Sequence, residues 1–375
     1  MDLELSSNQQ IFLETTRRFL ESRGSPTRTR QLHEEGRPFD PAFWRDGAEL
    51  GWTSLLVSEN RGGGSISGRG LLDLIIVAEE FGRMVSAGPL LSTNVVLEVL
   101  DRADNAEKHA NPVSQLLSGD ETATWAIHEG PETSTRVDVS MLARADEDGW
   151  VVDGTKTFVL DAPSSDWFLV TVRTAEGLTQ FLVPKDRDGL TVDARTSLDL
   201  VRQVGDVHFS GMRVTAVDLV GQVGGAAESV DRQMLTSLVL QNAETVGAAD
   251  RVLEFTLNYA CDRIAFGRSI ASYQALKHRF ANMKVCLEAC HATVQASSRA
   301  VADDAPDAPE LVSIAKSYVA DVVPSMVQDC VQLHGGIGVT WEHDVHLYLR
   351  RVTQNAFFFG GTLQHREQIA TAVGM

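Results

Sequence analysis

The chain has 375 residues, 43% hydrophobic and 22% charged, with 51 acidic against 33 basic side chains and a net charge of −18. This is ordinary globular usage in a chain long enough for two or three cores, which excludes a disordered protein. The acidic balance argues against nucleic acid as a partner, because phosphate binding draws on clustered Lys and Arg, and no apolar run reaches the roughly 20 residues of a membrane span.

Met1-Asp2-Leu3-Glu4 lacks the basic and apolar regions of a secretory signal, so a cytoplasmic protein is expected. Cys261, Cys286, Cys290 and Cys330 lack paired C-x-x-C spacing. Although Cys286 and Cys290 precede His291, no second ligand pair accompanies them, so buried thiols are expected rather than a metal site or disulfides.

In chain order, 1–120 reads as a helical domain. Ser7 and Gln10 have the spacing of a capping box ahead of Ile11, Leu13, Phe19 and Leu20. Arg61-Gly62-Gly63-Gly64 makes a loop before a helix through Leu71, Leu74, Ile75, Ala78 and Glu79. Over 121–225 the period changes to 2. Val137, Val139 and Met141 alternate with Asp138 and Ser140 as a half-buried strand, and Trp167-Phe168-Leu169-Val170 reads as a more buried one. Asp148-Gly149 and Asp153-Gly154 supply turn signals. Over 226–375 helical patterns return: Leu235, Leu238 and Val239 fall on one face, Leu253 and Leu257 follow, and Pro324 predicts a kink or break.

Two C-terminal motifs stand out. One is Arg263-x-x-Phe266-Gly267-x-x-Ile270-x-x-x-Gln274; the other is Gln332-x-x-Gly335-Gly336-x-Gly338, followed by Thr340-Trp341-Glu342. Together they resemble acyl-CoA dehydrogenases, as do Leu50-Gly51-Trp52-Thr53 and Asp153-Gly154-Thr155-Lys156. The resemblance covers essentially the whole chain. It implies a multi-domain α+β fold of N-terminal helical domain, middle β-barrel and C-terminal four-helix bundle, with FAD lying across a subunit interface.

The resemblance further implies that Arg263, Phe266 and Gln274 reach FAD bound mainly by a neighbouring subunit, with Gln332, Gly335 and Gly336 beside it. Arg offers a charged fork for phosphate and glycine admits a close backbone approach. Thr362 and Gln364 are further cofactor-binding positions. Acyl-CoA is the implied substrate and electron-transfer flavoprotein the implied acceptor.

The flavin-facing positions depart from the family pattern. Where relatives read Tyr-x-Val-Thr-Glu-Pro, this chain has Trp125-Ala126-Ile127-His128-Glu129-Gly130; where they offer Trp-x-Thr, it has Phe158-Val159-Leu160. Leu160 has no hydroxyl and Phe158 no indole N–H. Trp125 and Phe158 are open to flavin stacking or to barrel packing, and His128 reads as a polar rim residue.

The catalytic carboxylate is missing as well. Phe359-Gly360-Gly361-Thr362 stands where relatives carry aromatic-Glu-Gly-Thr, and Ser237, followed by Leu238, stands at the alternative base position on an earlier helix. General-base catalysis needs a titratable group within reach of the α-proton. Glu244 is seven residues, roughly 10 Å, farther along that helix and reads as an ordinary polar residue. The chain therefore resembles the subunit of bacterial heterotetrameric acyl-CoA dehydrogenases that lacks the catalytic glutamate, some of which act on fatty acyl or steroid side-chain thioesters. A self-sufficient homotetramer with a displaced base, a flavin monooxygenase or oxidase on the same fold, and a scaffold without flavin remain alternatives at this stage.

Overall fold

The computed structural model describes residues 5–130 and 139–375. Six helices come first: α1 (Ser7–Arg23), α2 (Pro26–Glu34), α3 (Pro41–Glu49), α4 (Gly70–Met84), α5 (Leu90–Arg102) and α6 (Ala110–Ser118). The capping box sits one residue earlier than expected. Ser6 is the cap, and its hydroxyl accepts from Gln9 N, while Gln9 also ties α1 to Asp73 on α4. Trp52 is fully buried with its ring edge-on to Phe19, Phe43 and Phe81.

Eight strands follow: β1 (Ala123–Ala126), β2 (Ala143–Asp146), β3 (Gly149–Leu160), β4 (Trp167–Arg173), β5 (Leu178–Pro184), β6 (Leu190–Arg195), β7 (Val204–Val214) and β8 (Leu219–Val220). They form two four-stranded sheets, ordered β1-β4-β5-β8 and β2-β3-β7-β6. The two share a core of Val152, Phe168, Phe181, Val207 and Met212, which is the middle β unit expected.

Two local expectations in this region differ from the structure. Val137 and Asp138 lie outside the described residues; Val139 and Met141 are buried and Ser140 exposed as predicted, but apart from an isolated bridge of Leu142 to Arg173 the ladder begins only at Ala143, because the Glu129 carboxylate takes the Ser140 and Met141 N–H groups. Asp153-Gly154 is not a turn either. It lies inside β3 at a register shift opposite β7, where Gly154 has φ +142°, the geometry of a bulge.

The C-terminal part comprises α7 (Ala227–Asp262), a small hairpin of β9 (Ile264–Ala265) and β10 (Arg268–Ser269), then α8 (Gln274–Ala302), α9 (Ala308–His334), α10 (Val345–Phe357) and α11 (Thr362–Ala372). Helix α9 runs unbroken through Pro324. The ring forfeits one helical hydrogen bond, but fully buried Val323 and Val327 hold the helix on its neighbours. Leu238, Val239 and Leu253 are buried as expected, whereas Leu257 is exposed.

Helices α4 and α7 cross at two glycines. A Cβ on Gly82 would meet Glu244 O at 1.8 Å, and one on Gly247 would meet Glu79 O at 2.0 Å. Only glycine permits this approach, which sets the middle of α7 against the N-terminal helices and the β unit.

Lys316 on α9 is buried, and its ammonium donates to Gln241 Oε1 at 2.6 Å and to Asn355 O. Burial pushes its pKa down from 10.5 to about 7. Between those values the unfolded chain holds a proton that the folded chain has released, so stability rises with pH, by up to about 1.4 kcal/mol per pH unit. Urea titrations at pH 7, 8 and 9 should show this rise, and Lys316→Met should flatten it.

Candidate functional site

The two C-terminal motifs meet at one end of the bundle. Tyr259, near the end of α7, stacks on His334 at 4.6 Å and donates to the His334 carbonyl at the end of α9. Beyond α7, Arg263 leads into the hairpin, whose tip is Phe266 at φ +52° and Gly267 at φ +80°. Phe266 is 98% exposed, and a non-glycine residue in left-handed backbone carries strain. The hairpin is braced from behind by Tyr273, whose hydroxyl donates to Ala265 O at 3.1 Å.

Arg263, Gln274 and Gln332 are all exposed, and Arg263 has no ion-pair partner among the described residues. Gly335 adopts φ +65°, ψ −141°, a conformation suited to glycine. A Cβ at Gly335 or Gly336 would meet nothing within 4 Å. The surface thus presents an unpaired guanidinium, amide side chains and bare backbone, a donor set suited to phosphate and hydroxyl groups.

On another face, a largely apolar groove of about 960 Å³ is lined by Phe158, Arg195, Leu198, Phe358, Thr362 and Gln364. Thr362 and Gln364 stand on the first turn of α11, and Gln364 Oε1 accepts from Gly361 N at 2.9 Å. Phe158, at φ +52°, carries the Arg195 guanidinium 5.0 Å over its ring. Asp206 fixes both, pairing with Arg195 and accepting from Phe158 N.

The remaining flavin-side positions do not face this groove. Trp125, Ile127, His128, Leu160, Ser237 and Phe359 line a chamber of about 20 Å³, and its only lining residues in common with the groove are Phe158 and Phe358. No acidic side chain lines the chamber among the described residues. His128 is not the rim residue expected. It is 7% exposed, its ring lies 5.8 Å from Phe359, and its Nε2 has no partner among the described residues. Burial and the Lys156 charge push its pKa down to about 4, so the ring is neutral near pH 7. The loop carrying it is fixed by fully buried Lys156, which donates to Ile127 O at 3.0 Å and pairs with Glu129.

Trp125 Nε1 donates to Thr171 Oγ1 at 2.9 Å, and the Leu160 carbonyl accepts from Thr124 Oγ1. Ser237 is fully buried with its Oγ unpartnered. Gly360 lies between Phe359 and Gly361, which face the chamber and the groove respectively, and its φ is +95°. The backbone at Gly360 thus occupies a region that L-residues avoid.

Glu244 is no ordinary surface polar residue. It pairs with Arg202 and Arg351 at 2.7 Å and accepts from Asn355 Nδ2 at 3.0 Å, in a buried cluster completed by Asp199. Sequence reasoning missed this cluster, although single charges amid the apolar stretches around Glu244 and Arg351 signalled it. Of the thiols, Cys290 and Cys330 are buried, Cys286 is partly so, and Cys261 is exposed. His291 Nε2 contacts Asp250 at 2.8 Å.

The fold and the site define a three-part oxidoreductase architecture, two helical units around a β unit. Domain models of the acyl-CoA dehydrogenase family match in order: N-terminal over 6–120, middle over 129–212 and C-terminal over 216–374. The chain belongs to the acyl-CoA dehydrogenase family, whose members are FAD-dependent oxidoreductases. It is 29% identical over 359 residues to acyl-CoA dehydrogenase IpdE2 of Mycolicibacterium smegmatis, covering 95% of this chain and 96% of that one. The ChsE4-ChsE5 complex from Mycobacterium tuberculosis superposes with a TM-score of 0.89 at 26% identity, over 100% of this chain and 99% of that one. Butyryl-CoA dehydrogenase from Megasphaera elsdenii gives 0.90 at 22%, over 100% of both chains, a likeness of fold. Among the described residues, no helix is long and apolar enough to cross a membrane.

The two places offer different surroundings to an FAD group. The surface around Arg263, Gln332 and Gly336 fits its phosphates and hydroxyls. The chamber does not fit a working flavin face, because Leu160 supplies no hydrogen bond from its side chain and about 20 Å³ holds no acyl group.

Proposed function

We propose that this chain is the base-lacking subunit of a heterotetrameric acyl-CoA dehydrogenase. In this reading Arg263, Phe266, Gln274, Gln332, Gly335 and Gly336 complete the FAD site of a partner subunit that supplies the base. FAD bound there provides the hydride acceptor for α,β-dehydrogenation of an acyl-CoA thioester, and electron-transfer flavoprotein takes the electrons onward. This chain's part is to bind and orient: Arg263 against phosphate, the glycine backbone against the cofactor's edge. Thr362 and Gln364 line the chain's own groove, which in this reading carries no second FAD. The similarity to ChsE4-ChsE5, a complex of two differently named chains, supports a heteromer.

The observation that carries the reading is the contrast between an exposed, unpaired Arg263 surface and a chamber lining without a carboxylate. Its test is co-expression with candidate partner chains, followed by flavin-to-polypeptide ratios and anaerobic titration with acyl-CoA. The expected result is one reducible FAD per pair of unlike chains and no bleaching by this chain alone. A homotetramer carrying one FAD per chain, bleached by acyl-CoA, would sink the proposal.

Restoring the carboxylate at one position should not rescue the chain. Gly360→Glu places an L-residue at φ +95°, at a cost of about 1–2 kcal/mol, and leaves the small chamber and Leu160 unchanged. Thermal melts should register the loss, and titration with acyl-CoA should still leave flavin oxidised.

A further inference from the structure

We infer that Phe158 and Phe358 form a partition between the groove and the chamber, and that the chamber holds one water between His128 Nε2 and Ser237 Oγ in place of an acyl thioester. The inference rests on the reading of this chain as a subunit without chemistry of its own, and it gives that reading a physical cause.

Three observations carry it. The first is size: a water occupies about 30 Å³ of liquid and needs a cavity of at least about 10–15 Å³. The chamber, at about 20 Å³, admits one water and excludes a thioester carbonyl with its α and β carbons. The second is polarity. His128 Nε2 and Ser237 Oγ are buried and have no partner among the described residues, whereas buried polar atoms are ordinarily satisfied. Both residues line this one small space, so a water held there is the partner inferred for both.

The third is chemical complementarity. A neutral imidazole presents either a donor or an acceptor at Nε2, and a serine hydroxyl can act as both. The low pKa of His128 keeps the ring neutral at physiological pH. Thr124, also in the lining, donates its hydroxyl proton to Leu160 O and keeps lone pairs for a third contact. A buried water commonly makes about three hydrogen bonds, and this set supplies that number. Elsewhere the wall is mainly apolar apart from Ser92, whose hydroxyl donates to Asp161.

The partition is built rather than incidental. Phe158 is held in left-handed backbone, with Asp206 accepting from its N–H and pairing with the arginine that covers its ring. Phe358 follows directly on the end of α10 and is 7% exposed. A ligand in the groove therefore meets two phenyl rings before it reaches the chamber.

The test is a crystal structure of the full chain, alone or with a partner subunit, at a resolution that shows ordered water, repeated after soaking with butyryl-CoA. One water about 3 Å from both His128 Nε2 and Ser237 Oγ, unchanged by the soak, is expected. Ser237→Ala and His128→Phe should each remove it, and Ser237→Ala, which deletes a single hydroxyl, keeps the test available if His128→Phe fails to fold. A dry chamber, or an acyl carbonyl or flavin edge within it, overturns the inference. The two readings can fail separately: flavin reduced by this chain unaided with the water in place defeats the subunit assignment alone, and thioester density in the chamber of an intact heteromer defeats the partition alone.

Discussion

Arg351→Met is expected to cost the fold about 3–5 kcal/mol, the range for removing one partner of a buried ion pair. Arg351 is 1% exposed. It lies between Asp199, from the loop joining β6 to β7, and Glu244 on α7, and it also donates to the Ser86 carbonyl. One guanidinium therefore joins all three parts of the molecule. Burial raises the pKa of Asp199, but the Arg351 charge and hydrogen bonds more than offset this and hold it at about 2. Without Arg351, Arg202 remains for Glu244 but Asp199 keeps only backbone donors.

The same logic fixes the pH dependence. A carboxylate with a depressed folded pKa contributes stability that is present above its unfolded value near 4 and is lost as pH falls toward 2. Chemical denaturation of the wild type should weaken over that interval, and Arg351→Met should lack the Asp199 share of the weakening. Adding Asp199→Asn and Glu244→Gln to Arg351→Met should recover much of the loss, because the penalty comes from uncompensated charge rather than missing attraction. A single variant as stable as wild type would show that the cluster contributes nothing.

The fold was legible because its main signals are local. The apolar repeat of Leu71, Leu74, Ile75 and Ala78 reports burial on one helix face, and the unbroken run Trp167-Phe168-Leu169-Val170 reports a strand buried on both faces. Asp153-Gly154 misled because the dipeptide that turns a hairpin also permits a bulge, and only pairing with β7 decides between them. Val139 and Met141 kept their alternation without a ladder because the Glu129 carboxylate took the backbone donors.

At the site, chain position identified which residues face the cofactor in relatives, but not how the space divides. That Phe158 touches both spaces while Leu160, two residues on, lines only the chamber depends on a left-handed phenylalanine and a bulge. Neither is written in residue type. The same holds for Gly360. Its identity announced a missing carboxylate, whereas its φ of +95° marks a backbone unsuited to an L-residue, and only the second explains why a single substitution should not reverse the first.

Arg263→Ala is expected to weaken FAD binding by the assembled heteromer by roughly 10–150-fold, the equivalent of about 1.5–3 kcal/mol for a hydrogen bond to a charged group. The chain's own stability should not move, because Arg263 is exposed and has no partner to lose. Equilibrium dialysis, or the return of flavin absorbance on titrating FAD into deflavinated complex, measures the first quantity; a thermal melt of the isolated chain measures the second. Arg263→Lys should recover only part of the affinity, since an ammonium keeps the charge but loses the planar fork. Added salt should narrow the gap between wild type and Arg263→Ala, because the lost term is a charge interaction open to screening. Ser237→Ala, buried in the chamber away from this surface, should leave FAD affinity unchanged. If Arg263→Ala held FAD as tightly as wild type while Ser237→Ala released it, the cofactor would belong to this chain's own side, and the assignment of Arg263 to a partner's FAD would be wrong.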